Sequence, residues 1–164
     1  MKKCKLLSKL ITKKTMLTIL LCSVMIFGVT SCADYKGKNS IGNKSNIKIS
    51  KTNDVVMTIK DGTLTNTGAT LILSNNSDKD FSYGNPYEIE VKKNNEWHKI
   101  NVELDFTLPA YVLLSKETRE IDIDWKYGYG KLAKGTYRII KGIDYEYEEG
   151  KYETFNVAVE FNID

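Results

Sequence analysis

Histidine and long apolar runs are both scarce in this chain, and each scarcity excludes something. His98 is the only histidine in 164 residues, so a zinc site built from several imidazoles is not available. As a general base it would need an orienting carboxylate and a nucleophile, and no G-x-S-x-G elbow is present; beside Trp97, in a strand leaving a hairpin, it is expected to point into solvent. The longest apolar run, Met16 to Val29, spans 14 residues, short of the roughly 20 that a helix needs to cross hydrocarbon. No stretch carries apolar residues at helical spacing for more than a turn or two, which argues against helical bundles and alternating α/β folds. Of the three cysteines, Cys4 and Cys22 lie in the first 31 residues and Cys32 follows directly.

What the N-terminus does contain is ordered. Six lysines, Lys2, Lys3, Lys5, Lys9, Lys13 and Lys14, precede the apolar run, and small residues follow it, which is the layout of an export signal. Val29-Thr30-Ser31-Cys32 then resembles the lipobox of bacterial lipoproteins. The resemblance implies that the Cys32 thiol is joined to a diacylglyceryl group and that cleavage leaves this cysteine at the new N-terminus. Two acyl chains give durable anchoring where one binds marginally. The processed chain would then hold one cysteine, consumed by lipid, and no disulfide. Losing six lysines takes Lys+Arg from 24 to 18 against 21 Asp+Glu, so the net charge moves from +3 to −3. A chain of that charge lacks the concentrated basic face that phosphate backbones require, so nucleic acid is not an expected partner. Frequent lysine and asparagine suggest an AT-rich genome.

Residues 32–53 are rich in Lys, Asn, Ser and Gly and poor in apolar side chains. They read as a flexible tether, because they bury too little surface to offset their ordering entropy; about 21 such residues span on the order of 25 Å. From residue 54 to 164 the pattern changes to period two, the mark of strands with one buried face. Val55, Met57 and Ile59 alternate with polar neighbours, as do Ala69, Leu71 and Leu73, then Tyr87, Ile89 and Val91. Lys93-Asn94-Asn95-Glu96 reads as a tight hairpin leading into Trp97 to Val102, since asparagine tolerates left-handed backbone. Ile121, Ile123 and Trp125 follow, then Tyr137 and Ile139, then Phe155, Val157, Val159 and Phe161. Turn signals at Asp61-Gly62, Asn75-Asn76, Gly84-Asn85 and Glu149-Gly150 separate them. The expected fold is all-β, a single immunoglobulin-like β-sandwich of about seven or eight strands.

Leu132-Ala133-Lys134-Gly135-Thr136-Tyr137 has the spacing of a tyrosine corner, in which the hydroxyl bonds back to nearby backbone at the entry to a late strand. With Tyr83-Gly84, Tyr87-Glu88-Ile89-Glu90, Trp97, Tyr129-Gly130-Lys131-Leu132 and Gly135 to Lys141, the chain from about Val55 to Phe161 resembles the bacterial Ig-like domains of exported, often lipid-anchored proteins of Firmicutes. The resemblance implies a sandwich and brings no catalytic residues. Where that family tends to carry Pro-Gly before the Ile121 strand, this chain has Leu114-Ser115-Lys116-Glu117.

Four groupings carry residue types that chemistry uses. Asp122 and Asp124 share a strand face, and sugar hydrolases work with paired carboxylates, yet their alternation with Ile121 and Ile123 reads as the wet face of a half-buried strand; Glu88 and Glu90 form a similar pair. Asn75 to Asp80 is rich in oxygen ligands for calcium, but lacks EF-hand spacing and includes Lys79, so a solvated turn is expected. Trp125, Tyr127 and Tyr129, with Tyr145 and Tyr147, supply rigid amphipathic area of the kind found at recognition surfaces; as strand residues they are equally packing groups. No metal or cofactor is expected. The resulting expectation is a non-enzymatic lipoprotein on the outer face of a bacterial cytoplasmic membrane, attached at Cys32 and presenting a binding or accessory module to an envelope protein or glycan. The alternatives are an inhibitor or protective lipoprotein acting on a secreted enzyme through the Lys93–Glu96 hairpin or the Leu104–Ala110 loop, and a carboxylate-based hydrolase.

Overall fold

The computed structural model describes residues 40–164, and these contain strands and no helix. In chain order the strands are β1 (Ile41–Lys44), β2 (Val55–Ile59), β3 (Gly68–Asn75), β4 (Phe81–Tyr83), β5 (Glu88–Lys93), β6 (Glu96–Ile100), β7 (Tyr111–Leu113), β8 (Thr118–Asp124), β9 (Gly135–Glu148) and β10 (Lys151–Ile163). All seven segments read from their alternation are strands; β1, β4 and β7 are additional. These three have three or four residues each, too short for a period to register.

Two antiparallel sheets face each other. The smaller is β2-β3-β8, and the larger runs β1-β6-β5-β9-β4-β7 with β10 along the other side of β9. The β9–β10 hairpin is the spine: its ladder runs unbroken from Gly135 opposite Ile163 to Thr154 opposite Asp144 and beyond. One half of β9 pairs β5 and the other half pairs β4, so one strand organises both ends of the large sheet. The Asn94-Asn95 turn has φ of 49° and 64°, the left-handed pair that matches hairpin twist. Gly150, with φ of 73°, closes the β9–β10 tip.

The core is the inward side chains of both sheets, among them Val55, Leu71, Leu73, Ile89, Leu113, Trp125, Ile139, Ile143 and Phe161. Each fully buried side chain of this size contributes roughly 1.5–3 kcal/mol over exposure. Phe161 stacks between Trp125 and Tyr137, both at 5.7 Å between ring centroids. The Tyr137 hydroxyl donates to the Ala133 carbonyl at 2.8 Å, so the tyrosine corner is present.

The segment expected to be a flexible tether differs over its described part. β1 pairs β6, Ser45 N donates to Trp97 O at 2.8 Å, and Ser50 N donates to Asn156 O at 2.8 Å. The chain therefore crosses the outer face of the large sheet as a strap, from the β6 edge to β10, before entering β2. An edge strand forms through backbone groups, which composition does not register. Gly42 eases the close approach, because a Cβ there would crowd the Lys99 carbonyl oxygen at 3.2 Å and displace the Asn101 side chain. The strap also corrects the reading of His98, which is half-buried with Nδ1 3.3 Å from Gly42 O. Cys32 and the signal segment lie outside the described residues.

Candidate functional site: a cleft at the open seam

β7 ends the large sheet and β8 ends the small one. β7 leads into β8 through the turn at residues 114–117, so the two edges border the same open seam. A cleft of about 560 Å³ lies there, lined by Tyr83, Tyr87, Phe106, Tyr111, Arg119 and Lys141 and by β8 from Arg119 to Asp124.

Lys141 is the unexpected member. It has the inward parity of Tyr137, Ile139 and Ile143 and is only 1% exposed, so a cation occupies a core position of β9. Its Nζ donates to Gly84 O at 2.8 Å and to Pro86 O at 3.3 Å and lies 5.5 Å from the Tyr83 ring centroid. Desolvation by burial pushes its pKa down to about 8, because the interior disfavours the charged form. The Tyr87 hydroxyl donates to Asp124 O at 3.3 Å, tying the large sheet to the β8 edge. Burial, reinforced by Asp124, pushes the Tyr87 hydroxyl up to about 12. At the mouth, Arg119 is held by Glu117, through Nε at 3.0 Å and through a second, closer contact. Phe106 packs edge-on to Tyr87, 5.2 Å between centroids. The cleft is thus aromatic, with Lys141 and the Tyr87 hydroxyl engaged by backbone carbonyls and Arg119 by the Glu117 carboxylate.

The five aromatic residues expected to form a patch are not brought together. Trp125 is 1% exposed and donates from Nε1 to Asn66 O at 3.0 Å; it continues the inward row of Ile121 and Ile123. Tyr129 is buried because the 125–129 turn, closed by Tyr129 N to Trp125 O at 2.8 Å, returns it to the same side. Its hydroxyl accepts from Ile89 N at 2.9 Å. Tyr145 is half-buried against Phe81, 5.6 Å away. Tyr127 and Tyr147 are exposed, at 94% and 57%, but one precedes β9 and the other sits near its far end, on the order of 40 Å along an extended strand.

The carboxylate pairs are likewise separated in role. Asp122 and Asp124 are exposed on the outer face of β8; Asp122 accepts from Thr70 Oγ1 at 2.7 Å and Asp124 from Lys126 N at 2.8 Å. Glu88 is exposed beside Lys99, whereas Glu90 is buried against Arg138. Asn75, expected in a solvated turn, is 2% exposed and knits the turn internally. Among the described residues no group of three or more His, Cys, Asp or Glu side chains gathers where a metal ion would sit.

The sequence names Tyr83, Tyr87, Asp122 and Asp124 without bringing them into one cleft, and Tyr111 and Arg119 leave no signal in it. Lys141 leaves one, a charged residue at a core parity between Ile139 and Ile143. Tyr83, Tyr111 and Arg119 meet only through the pairing of β4 with β7 and the turn into β8.

No curated protein and no solved structure matches this chain. A family model for the bacterial Ig-like domain matches residues 51–162. That span contains β2 to β9, β10 but for Ile163, and the whole seam cleft, and the chain belongs to the bacterial Ig-like domain family.

Proposed function

We propose that this chain is an extracytoplasmic lipoprotein, anchored through a diacylated Cys32 to the outer face of a bacterial cytoplasmic membrane, whose Ig-like domain is a non-catalytic binding module. The anchor rests on Val29-Thr30-Ser31-Cys32 following an apolar run too short to span. The single observation that carries the binding role is the seam cleft, where aromatic rings surround Lys141 and Tyr87, held by backbone carbonyls, and Arg119, held by Glu117, rather than groups arranged as an acid and a base. Such a site offers shape and hydrogen bonding to an envelope protein or glycan. In cells fed a labelled fatty acid, the wild-type chain is expected to carry label and to sediment with membranes, and Cys32→Ser to lose both. Wild-type and variant chains found equally in the soluble fraction would end the anchor reading. For binding, Tyr87→Ala and Tyr111→Ala are expected to reduce recovery of envelope partners at least tenfold, and undiminished recovery by both would remove the cleft.

One observation favours a second reading as an inhibitor of a secreted enzyme. Leu108 is 87% exposed in a loop between β6 and β7, next to Pro109, as a residue offered to a partner's pocket would be. Leu108→Asp would abolish inhibition of a susceptible envelope enzyme and leave cleft binding intact; unchanged inhibition would discard this reading.

A further inference from the structure

The β8 edge has a second property. Trp125 N donates to Thr67 O, and Ile123 and Ile121 stand opposite Ala69 and Leu71. Alternate residues of an antiparallel strand turn both backbone groups to the same side. The odd-numbered residues of β8 therefore face β3, and Glu120, Asp122 and Asp124 direct their N–H and C=O groups into the seam. Tyr87 occupies the Asp124 carbonyl; along Glu120 and Asp122 no strand pairs with this edge among the described residues. The cleft runs beside those groups.

Side chains add direction. Glu120, Asp122 and Asp124 are all exposed on the outer face, with Lys60, 2.8 Å from Glu120, as their ion-paired cation. An added strand would place alternate residues opposite this acidic row, where like charges repel and opposite charges stabilise. Its other residues would face Ile121, Ile123 and the aromatic lining. A second copy of β8 would set carboxylate against carboxylate.

Building on the binding-module reading, we propose that β8 receives an extended segment of a partner protein as an added strand, basic at alternate positions outward and apolar at the positions between. Backbone pairing supplies affinity in this mode, and the alternating side chains supply specificity.

The test is amide hydrogen exchange by NMR on the full chain in detergent, with two capped heptapeptides as probes, one alternating valine with lysine and the other valine with glutamate. The basic peptide is expected to slow exchange at the Glu120 and Asp122 amides at least tenfold, and the acidic peptide to leave them unchanged. Asp122→Pro removes an edge donor that β3 does not use, and proline is tolerated at such positions; it should weaken basic-peptide binding at least tenfold. Asp122→Lys, which keeps the amide, should weaken it similarly. No slowing with the basic peptide, or equal slowing with both, overturns the proposal. So does a dimer in sedimentation that Asp122→Pro dissociates. Envelope partners retained undiminished by both variants would leave the binding module standing and remove the edge as its site.

Discussion

Arg138 and Glu90 stand directly opposite each other on β9 and β5, with Nη2 and Nε 2.6 and 2.7 Å from one Glu90 oxygen. Glu90 is fully buried on the sheet face turned away from the core, and the Trp97 ring covers the guanidinium with its centroid 4.7 Å away. Removing one partner of such a pair leaves a buried charge alone. Glu90→Ala is therefore expected to lower unfolding free energy by about 3–5 kcal/mol, and the double change Glu90→Leu with Arg138→Met to recover most of it. Urea titration of the wild type and the two variants checks this, and a double variant as unstable as the single one would refute it.

The seam cleft predicts a stability profile with a rise and a fall. Lys141 has a folded pKa of about 8 against an unfolded value of 10.5, so between these pH values the unfolded chain binds the extra proton. Stability therefore climbs with pH across that window, by at most about 3 kcal/mol. Tyrosines act oppositely: Tyr87 is pushed up to about 12, and Tyr129 and Tyr137 are also raised, chiefly by burial. Above about pH 10 the unfolded chain loses phenolic protons that the folded chain keeps, and stability falls. Urea midpoints should peak near pH 10. Lys141→Met should flatten the rising limb and Tyr87→Phe should soften the falling one; a rising limb unchanged in Lys141→Met would contradict the assignment.

Lys141 also marks the limit of what the sequence discloses. Period two located seven strands and the Asn94-Asn95 turn, because each is encoded in neighbouring residues. The same alternation placed Trp125 inward beside Ile121 and Ile123, so its burial was legible, although its chemical type suggested a surface. Tyr129 was not legible, since a turn rather than a strand sets its direction. Nor was β1, whose pairing uses backbone groups that every sequence has. The cleft depends on which strands end the two sheets, and that follows from long-range pairing.

The turn into β8 explains why it lacks Pro-Gly. Lys116 occupies the left-handed region at φ of 61°, and Ser115 N donates to Asp80 Oδ1 at 2.7 Å. Proline at 115 would delete that donor. Lys116→Gly relieves a left-handed cost of about 1–2 kcal/mol. It also loses exposed contacts to Asn76 O at 2.8 Å and Asp78 at 3.0 Å, worth up to about 1 kcal/mol together. A net gain of roughly 0.5–1 kcal/mol is expected for glycine. Lys116→Ala, which keeps the strain and loses the contacts, should be less stable than wild type. Thermal unfolding that ranks alanine above glycine would reject the account.

Asn75 joins the two sheets at the same end. From the last position of β3 its Nδ2 donates to Lys79 O at 2.7 Å and to Leu114 O at 2.9 Å, with Leu113 O at 3.3 Å. Its Oδ1 accepts from Ser77 N at 3.0 Å and Ser77 Oγ at 2.9 Å. One buried amide thus satisfies the β3–β4 turn and the exit of β7, and only a side chain with both donors and an acceptor does so. Asn75→Ala takes the amide donors from the carbonyls of Lys79, Leu113 and Leu114 and the acceptor from Ser77 N; Leu114 O keeps Glu117 N, and the loss should cost about 2–4 kcal/mol. Asn75→Asp is expected to be at least as damaging, because a carboxylate cannot donate to the carbonyls of Lys79 and Leu114. Hydrogen exchange should accelerate first at the Ser77 amide, whose acceptor alanine lacks. If Asn75→Ala proved as stable as wild type, or if the Ser77 amide kept its protection, this side chain would not be what closes that end of the sandwich.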